Sequence, residues 1–523
     1  MRKRIIVAGS GGAGLTAAIA AAKKGAEVLL LSKTSCATGS CTAYSGGMFS
    51  LASGSVTPEE HFKKVIEVGR SAGDPELVRT LSEHCEASLR TLSDWGITMK
   101  IGEGRAHVRA SAPSEIMGGA GMTGELCALA RAEGVKILEN CAATRILSAG
   151  GRVEGLEWVD WKTGREWRSW ASAVILATGG GGAIYSRTDN PYRMTGDGYA
   201  MALEAGLDLA DMEYVQFYPL GWKDPAFPVW MVGLTAMDYI PVTDGKGREF
   251  LKEAILSWGL SSGKEANYFA RDRCASFLAR HEKDGGKIYL HIEKLADDML
   301  SLPDLRVSLM VDLPPRRRMR PVEVSPIQHY FTGGVPIDSE GRTSLPGLYA
   351  CGEVTAGVDG ASRMGGNALT NIVTFGLRAG GAAAEEGASA PGGGPEKIAG
   401  PNLALLLTGD DRPGKAREDL KGIVQEGLGP CRSGEGLVRC IDALEEWKSA
   451  NRAFRADSSM DLLHALEMKG MIATAEGVAR AAMLREESRG VHFREDFPSE
   501  IEEQRGTISV SLRGGVLTAS REE

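Results

Sequence analysis

Arg4-Ile5-Ile6-Val7-Ala8-Gly9-Ser10-Gly11-Gly12-Ala13-Gly14 is the stretch that decides the fold. Residues 4–8 are a short apolar run of the kind that forms a buried parallel strand. The next six residues fit G-x-G-x-x-G. Ala-rich Leu15–Lys24 predicts a helix ended by Gly25, and Val28–Ser32 predicts a second strand. Strand, tight turn, helix and strand form the setting in which this motif binds a dinucleotide. Gly9 permits the turn, Gly11 lets backbone approach a pyrophosphate, and Gly14 lets helix and strand pack closely. The phosphates would rest on the helix N-terminus, where free N–H groups and the dipole favour anions. Without that setting the hexapeptide is only a glycine-rich turn. A carboxylate is expected at the end of the second strand to bind ribose hydroxyls, but the chain has Leu31-Ser32-Lys33. Either the ribose contact differs or the ligand is not NAD.

Outward from this motif, glycine is abundant along the whole chain: 68 of 523 residues, close to twice its ordinary share. There is no G-X-Y period, which excludes collagen. With 43% hydrophobic and 24% charged residues, disorder is excluded too. The length predicts two to four domains. A net charge of −8 and a pI near 5.7 give no basic surface suited to nucleic acid. No apolar run reaches the roughly 18 residues of a membrane span, so no direct membrane insertion is expected. The basic start breaks off at Gly9, too early for a secretory signal. Nine scattered cysteines with no C-x-x-C pair predict reduced thiols in a cytoplasmic protein, and no metal, cluster or haem held by this chain.

A second glycine-rich segment, Ala173-Val-Ile-Leu-Ala-Thr178-Gly179-Gly-Gly-Gly182, predicts a buried strand that breaks into four glycines. An expected hairpin, Glu154–Val159 and Glu166–Ala171, precedes it. A first-strand fingerprint followed far downstream by A-T-G-G is the layout of FAD-binding oxidoreductases. Further motifs run nearly end to end: Ser45-Gly46-Gly47; Thr195-Gly196-Asp197-Gly198; Gln216-Phe217; Arg271-Asp272; His329-Tyr330 with Gly333-Gly334; Cys351-Gly352-Glu353; Gly360-Ala361-Ser362-Arg363-Met364-Gly365-Gly366-Asn367-Ala368-Leu369; and Arg485-Glu486-Glu487-Ser488-Arg489-Gly490-Val491-His492-Phe493-Arg494. On these residues the chain resembles the flavoprotein subunit family of succinate dehydrogenase and fumarate reductase, which includes L-aspartate oxidase. The family also commonly has Ser-Lys where Ser32-Lys33 stands.

The resemblance implies an α/β fold: a Rossmann-like FAD-binding domain from residues 1–220 and 337–385, an inserted α+β capping domain at 221–336, a linker at 386–401 and a C-terminal helical domain at 402–523. Helices are expected at Gly436–Ala450 and Ser458–Glu487, where apolar residues recur at three-to-four spacing. The implied FAD contacts are Gly9, Gly11, Gly12, Gly14, Ser32, Lys33, Ser40, Ser45, Gly46, Gly47, Ala143, Thr178, Gly179, Asp197, Glu353, Asn367, Ala368 and Leu369.

The implied chemistry interconverts a small carboxylic acid and its α,β-unsaturated form. Arg271 matches the proton-shuttling arginine, Arg363 the arginine that clamps a substrate carboxylate, and His329 the histidine that binds it. A planar guanidinium fork suits a carboxylate. An arginine can act as an acid only in a desolvated site with carboxylates nearby. From spacing alone, Arg271 before Asp272 reads as a surface ion pair, His329 as a structural histidine and Arg363 as a loop residue.

Departures from the family leave the substrate open. The usual Gln-Phe-His-Pro-Thr reads Gln216-Phe217-Tyr218-Pro219-Leu220; Tyr218 can bind substrate by a hydrogen bond but carries no positive charge. The Thr-Glu pair of the capping domain has no clear equivalent in Val232–Pro241, with Asp238 a weak substitute for the glutamate. The histidine that anchors FAD in succinate dehydrogenases is Ser40 here, so non-covalent FAD is expected. One end of the substrate site is kept, by Arg363 and His329, and the other is less polar. Electrons would come from a separate partner protein. The alternatives are an L-aspartate oxidase and a non-catalytic flavin-carrying electron-transfer or regulatory subunit. Of the lesser features, Trp158, Trp161, Trp167 and Trp170 predict cross-strand packing, Arg316-Arg317-Arg318 with Arg320 a solvated loop, and Cys36 and Cys41 ordinary buried thiols.

Overall fold

The computed structural model describes residues 3–109, 118–309, 311, 313–386, 390, 392–450 and 452–522. The opening motif folds as its composition dictates. Strand Arg4–Ala8 lies in the middle of a five-stranded parallel sheet, in the order Leu348–Ala350, Ala173–Leu176, Arg4–Ala8, Glu27–Leu31, Lys136–Leu138. Ile5, Ile6 and Val7 are all fully buried, as a strand covered on both faces requires. Helix Gly12–Lys23 follows the turn at Gly9, whose φ of 116° admits only glycine. A Cβ on Gly14 would stand 2.0 Å from the Gly9 carbonyl oxygen, so only glycine lets the helix close on the strand. Helix Asn367–Glu385 packs beside Gly12–Lys23 on the same face and shares its core, through Phe375 and Ala379.

A second five-stranded sheet carries the inserted region, in the order Met231–Val232, Val215–Trp222, Val322–Phe331, Ile288–Leu290, Val242–Asp244. Val215–Trp222 is buried along its whole length and pairs antiparallel with Val322–Phe331. Helices Gly263–Phe269, Arg271–Lys283 and Pro303–Leu309 pack against it around one apolar core.

The tryptophan-rich hairpin is Arg152–Asp160 with Arg165–Trp170. Trp158 pairs directly across from Trp167 and is buried, and Trp161 Nε1 donates to the Lys33 carbonyl at 2.9 Å, so the ring cluster packs inward. The hairpin's edge explains the expected linker. Residues 387–389 and 391 of it lie outside the described residues, as do Met1 and Arg2 of the basic start. The rest is not a plain tether: Glu396–Lys397 pairs with Arg168 and Trp167, and Arg4 Nη1 donates to the Gly393 carbonyl at 2.6 Å.

The C-terminal region contributes helices Pro413–Gly427, Gly434–Ser449 and Ser459–Leu484. It then adds an antiparallel hairpin, Ile508–Arg513 with Val516–Arg521, which pairs with Leu209–Ala210. Between them, the fully buried Arg485 lies among Asp211, Glu213 and Glu487, so the motif Arg485–Arg494 acts as an ionic latch on the first part of the chain. Its cation is satisfied on several sides, which a buried charge requires.

One expectation is overturned. Cys36 and Cys127, 91 positions apart in sequence, form a disulfide with Cα atoms 6.4 Å apart, so the cysteines are not all thiols and Cys36 is not an ordinary one. The fold brings the loop after Glu27–Leu31 onto helix Gly118–Ala132, a long-range approach that residue spacing does not encode. Cys41 remains a thiol, and burial raises its pKa well above the ordinary value, with Glu353 nearby adding to the effect. No described helix is long and apolar enough to cross a membrane.

Candidate active site

The carboxyl end of the parallel sheet opens into a cavity of about 560 Å³ that continues under the inserted region. Its floor is the opening motif: Gly9, Gly11 and Gly12 line it, with Ser32, Lys33, Ser40, Ser45, Gly46, Gly47, Thr178, Gly179, Glu353, Ala368 and Leu369. Neither the N-cap residue of helix Gly12–Lys23 nor that of Asn367–Glu385 supplies a side-chain cap, although Thr42 Oγ1 accepts from Gly12 N at 3.2 Å. The first turns of both helices therefore offer N–H groups to an anion. The Thr178 hydroxyl is buried with no protein partner, and a Cβ on Gly12 would strike Ile372 and Thr42. Bare backbone, helix N-termini and an orphaned hydroxyl fit a dinucleotide pyrophosphate laid across the motif.

Four of the expected cofactor residues stand elsewhere than on this wall. Gly14 packs behind it. Asn367 is fully buried and donates to Asp359 at 2.7 Å. Ala143 and Asp197 line a neighbouring cavity of about 300 Å³, which Lys33 and Glu467 also line. Lys33 Nζ there meets Asp197 at 2.7 Å and Glu467 at 3.1 Å. Ser40 Oγ accepts from Ala43 N at 3.2 Å and starts helix Cys41–Tyr44.

Over the floor, His329, Arg363 and Tyr218 converge. His329 and Tyr218 project from paired strands, with their rings 5.7 Å apart edge to face. Arg363 is buried against the Tyr330 ring, 4.3 Å from its centroid. Arg271 lies one layer behind this wall. Its guanidinium carbon is 5.7 Å from the Tyr218 ring centroid, and its Nη2 donates to the Arg363 carbonyl at 2.6 Å. The surface ion-pair reading of Arg271 does not hold, because Arg271 is nearly buried and its Nε stands 4.0 Å from Asp272. Burial lowers its pKa, Arg363 beside it lowers it further, and Asp272 opposes both. A desolvated guanidinium next to a second one is the environment in which an arginine releases a proton most readily.

Glu353 is buried in the floor below this group. Burial lifts its carboxyl to about 7. Asp189 accepts from His329 Nδ1 at 2.8 Å. The Tyr218 hydroxyl donates to Asn267 Oδ1. Asp238 is not a substitute relay group: it is exposed and accepts from the backbone N–H groups of Gly263 and Lys264, at the start of helix Gly263–Phe269.

Several wall residues carry no sequence signal of their own. Trp230, Met231, Thr235, Lys264, Tyr268 and Val307 line the cavity from the inserted region. Lys264 and Tyr268 share one face of helix Gly263–Phe269 at i, i+4, a spacing that hints at a common surface. Arg105 and His107 line the opposite side, on the strand paired with Met48–Ser50.

A glycine-lined dinucleotide cradle beneath a capped pocket of buried arginines defines an FAD-dependent oxidoreductase. Residues 4–369 match the FAD binding domain family, and residues 417–513 match the fumarate reductase flavoprotein C-terminal family. The chain belongs to the fumarate reductase and succinate dehydrogenase flavoprotein family. It is 30% identical to a fumarate reductase (CoM/CoB) subunit of Methanothermobacter marburgensis, over 97% of each chain. It is 33% identical to an L-aspartate oxidase of Caulobacter vibrioides, over 94% of this chain and 93% of that one. Quinol fumarate reductase of E. coli superposes with a TM-score of 0.85 at 25% identity, covering all of this chain and 97% of the other.

Proposed function

We propose that this flavoprotein interconverts a small carboxylic acid and its α,β-unsaturated form, taking electrons from a separate partner protein. The observation that carries this reading is the convergence of Arg363, His329 and Tyr218 over the glycine cradle, with Arg271 directly behind them. The residues of the cradle would hold FAD, which when bound gives or accepts a hydride. The Ser40 position supports non-covalent attachment, since its side chain is engaged in capping a helix.

The protein groups then have separate tasks. Arg363 and His329 fix a substrate carboxylate and polarise the conjugated double bond. Arg271 supplies the proton that completes the reduction, so one hydride and one proton convert the alkene to the saturated acid. Its release is favoured by desolvation and by the positive charge of Arg363 beside it. Tyr218 orients the substrate by hydrogen bonding and screens Arg271 from water.

A second reading, L-aspartate oxidation, draws support from the Caulobacter relative. An anaerobic panel separates the two. Dithionite-reduced protein is mixed with enoates, and flavin reoxidation is followed by absorbance. In parallel, L-aspartate is added aerobically and peroxide is measured. Enoate reoxidation that disappears in Arg271→Ala is expected. Reoxidation by no enoate, with peroxide formed from L-aspartate, would replace the first reading with the second.

A further inference from the structure

We infer that the acid handled here carries one carboxylate and an apolar, ring-sized substituent at its far end, as in an aryl-substituted enoate. The inference rests on the redox reading above and adds the substrate class. The two ends of the cavity differ in kind. At the inner end Arg363 on the wall, Arg271 behind it and the imidazole of His329 gather at one place. That end is built for a single carboxylate.

The wall running outward from it is apolar. Trp230, Met231, Tyr268 and Val307 line it. A carboxylate placed among these groups would be stripped of water without a charged partner, which is costly; the basic side chains Arg105 and His107 line the cavity elsewhere, on the strand paired with Met48–Ser50. Among the described residues, the lysine that joins these groups, Lys264, is already paired with Asp304 at 2.7 Å. Trp230 contributes one neutral donor, an indole N–H that is buried with no protein partner. It can take a hydroxyl or carbonyl oxygen on the ring but cannot neutralise a charge.

Exposure points the same way. Tyr268 and Val307, and Tyr44 and Met48 across the opening, are 51%, 49%, 40% and 40% exposed. Tyr44 and Trp230 meet across the cleft with ring centroids 5.5 Å apart. Large apolar side chains left in water around a cavity mouth mark the route of an apolar ligand group. The cost of leaving them wet is recovered when an aromatic tail covers them.

The test compares saturated acids, so that binding is read without turnover. Calorimetric titration of the flavin-loaded protein with 3-phenylpropionate and with succinate should show the first binding at least ~10-fold tighter. Reduced protein should be reoxidised faster by cinnamate than by fumarate. Trp230→Ala should reduce the preference for the aryl acid by about tenfold, while Met231→Arg, which puts a cation on the far wall, should move it toward succinate. Equal or tighter binding of succinate overturns the inference even if fumarate reoxidises the flavin, in which case the redox reading stands. If no enoate reoxidises the flavin, the redox reading fails, and the binding comparison alone still decides the ligand class.

Discussion

Asp189 Oδ2 accepts a hydrogen bond from His329 Nδ1 at 2.8 Å, and both side chains line the cavity that Arg363 enters. The carboxylate fixes the imidazole so that its other nitrogen is turned from Asp189 and is free for a ligand. Asp189 is therefore a positioning residue for substrate binding. Asp189→Asn keeps the shape but weakens a charge-assisted bond worth roughly 1.5 kcal/mol. The substrate KM should rise by about tenfold, with kcat and the unfolding midpoint changed much less. Steady-state kinetics beside thermal melts make the check, and an unchanged KM would remove the assignment.

Glu353 makes the fold sensitive to pH. Burial lifts its carboxyl from the ordinary 4.5 to about 7, so the folded protein keeps a proton that the unfolded chain has lost. The favourable contribution is complete below pH 4.5 and disappears as pH rises through about 7, amounting to about 3 kcal/mol. Glu353→Gln should abolish this slope. Melts of both proteins between those limits give the difference curve, and parallel curves would contradict it.

Ser40 caps helix Cys41–Tyr44 at the position where a covalent anchor would be a histidine. Acid precipitation should leave all the flavin in the supernatant. Flavin that stays with the pelleted chain after washing would refute non-covalent attachment.

The Cys36–Cys127 bridge spans 91 residues and joins the loop beside the cradle to helix Gly118–Ala132. Reduction, or Cys36→Ser, should cost about 2–4 kcal/mol of stability. Denaturant titrations with and without a thiol reductant measure it. Coincident curves, together with two additional titratable thiols in the untreated protein, would show the bridge to be absent in solution.

What could be read from the sequence follows from how local each feature is. Gly9, Gly14 and Gly179 are legible because positive φ and close backbone approach are properties of single residues. Arg271, His329 and Arg363 are legible only because a resemblance aligns them; taken singly each reads as structural. Asp189, Trp230 and Lys264 stay hidden because their roles come from loops and helices meeting in space. The Cys36–Cys127 pair is hidden for the same reason. Asp238 misleads because an acidic residue near a site has the same composition whether it relays protons or accepts from the N–H groups of a helix start.

Glu467 and Gly470, on helix Ser459–Leu484, close the pocket that Lys33 and Asp197 begin. Residues separated by more than four hundred positions thus share one wall. A ribosome must translate nearly the entire message before Glu467 can hold Lys33, which also lines the cradle, so this corner of the cradle takes its final form only in the finished chain.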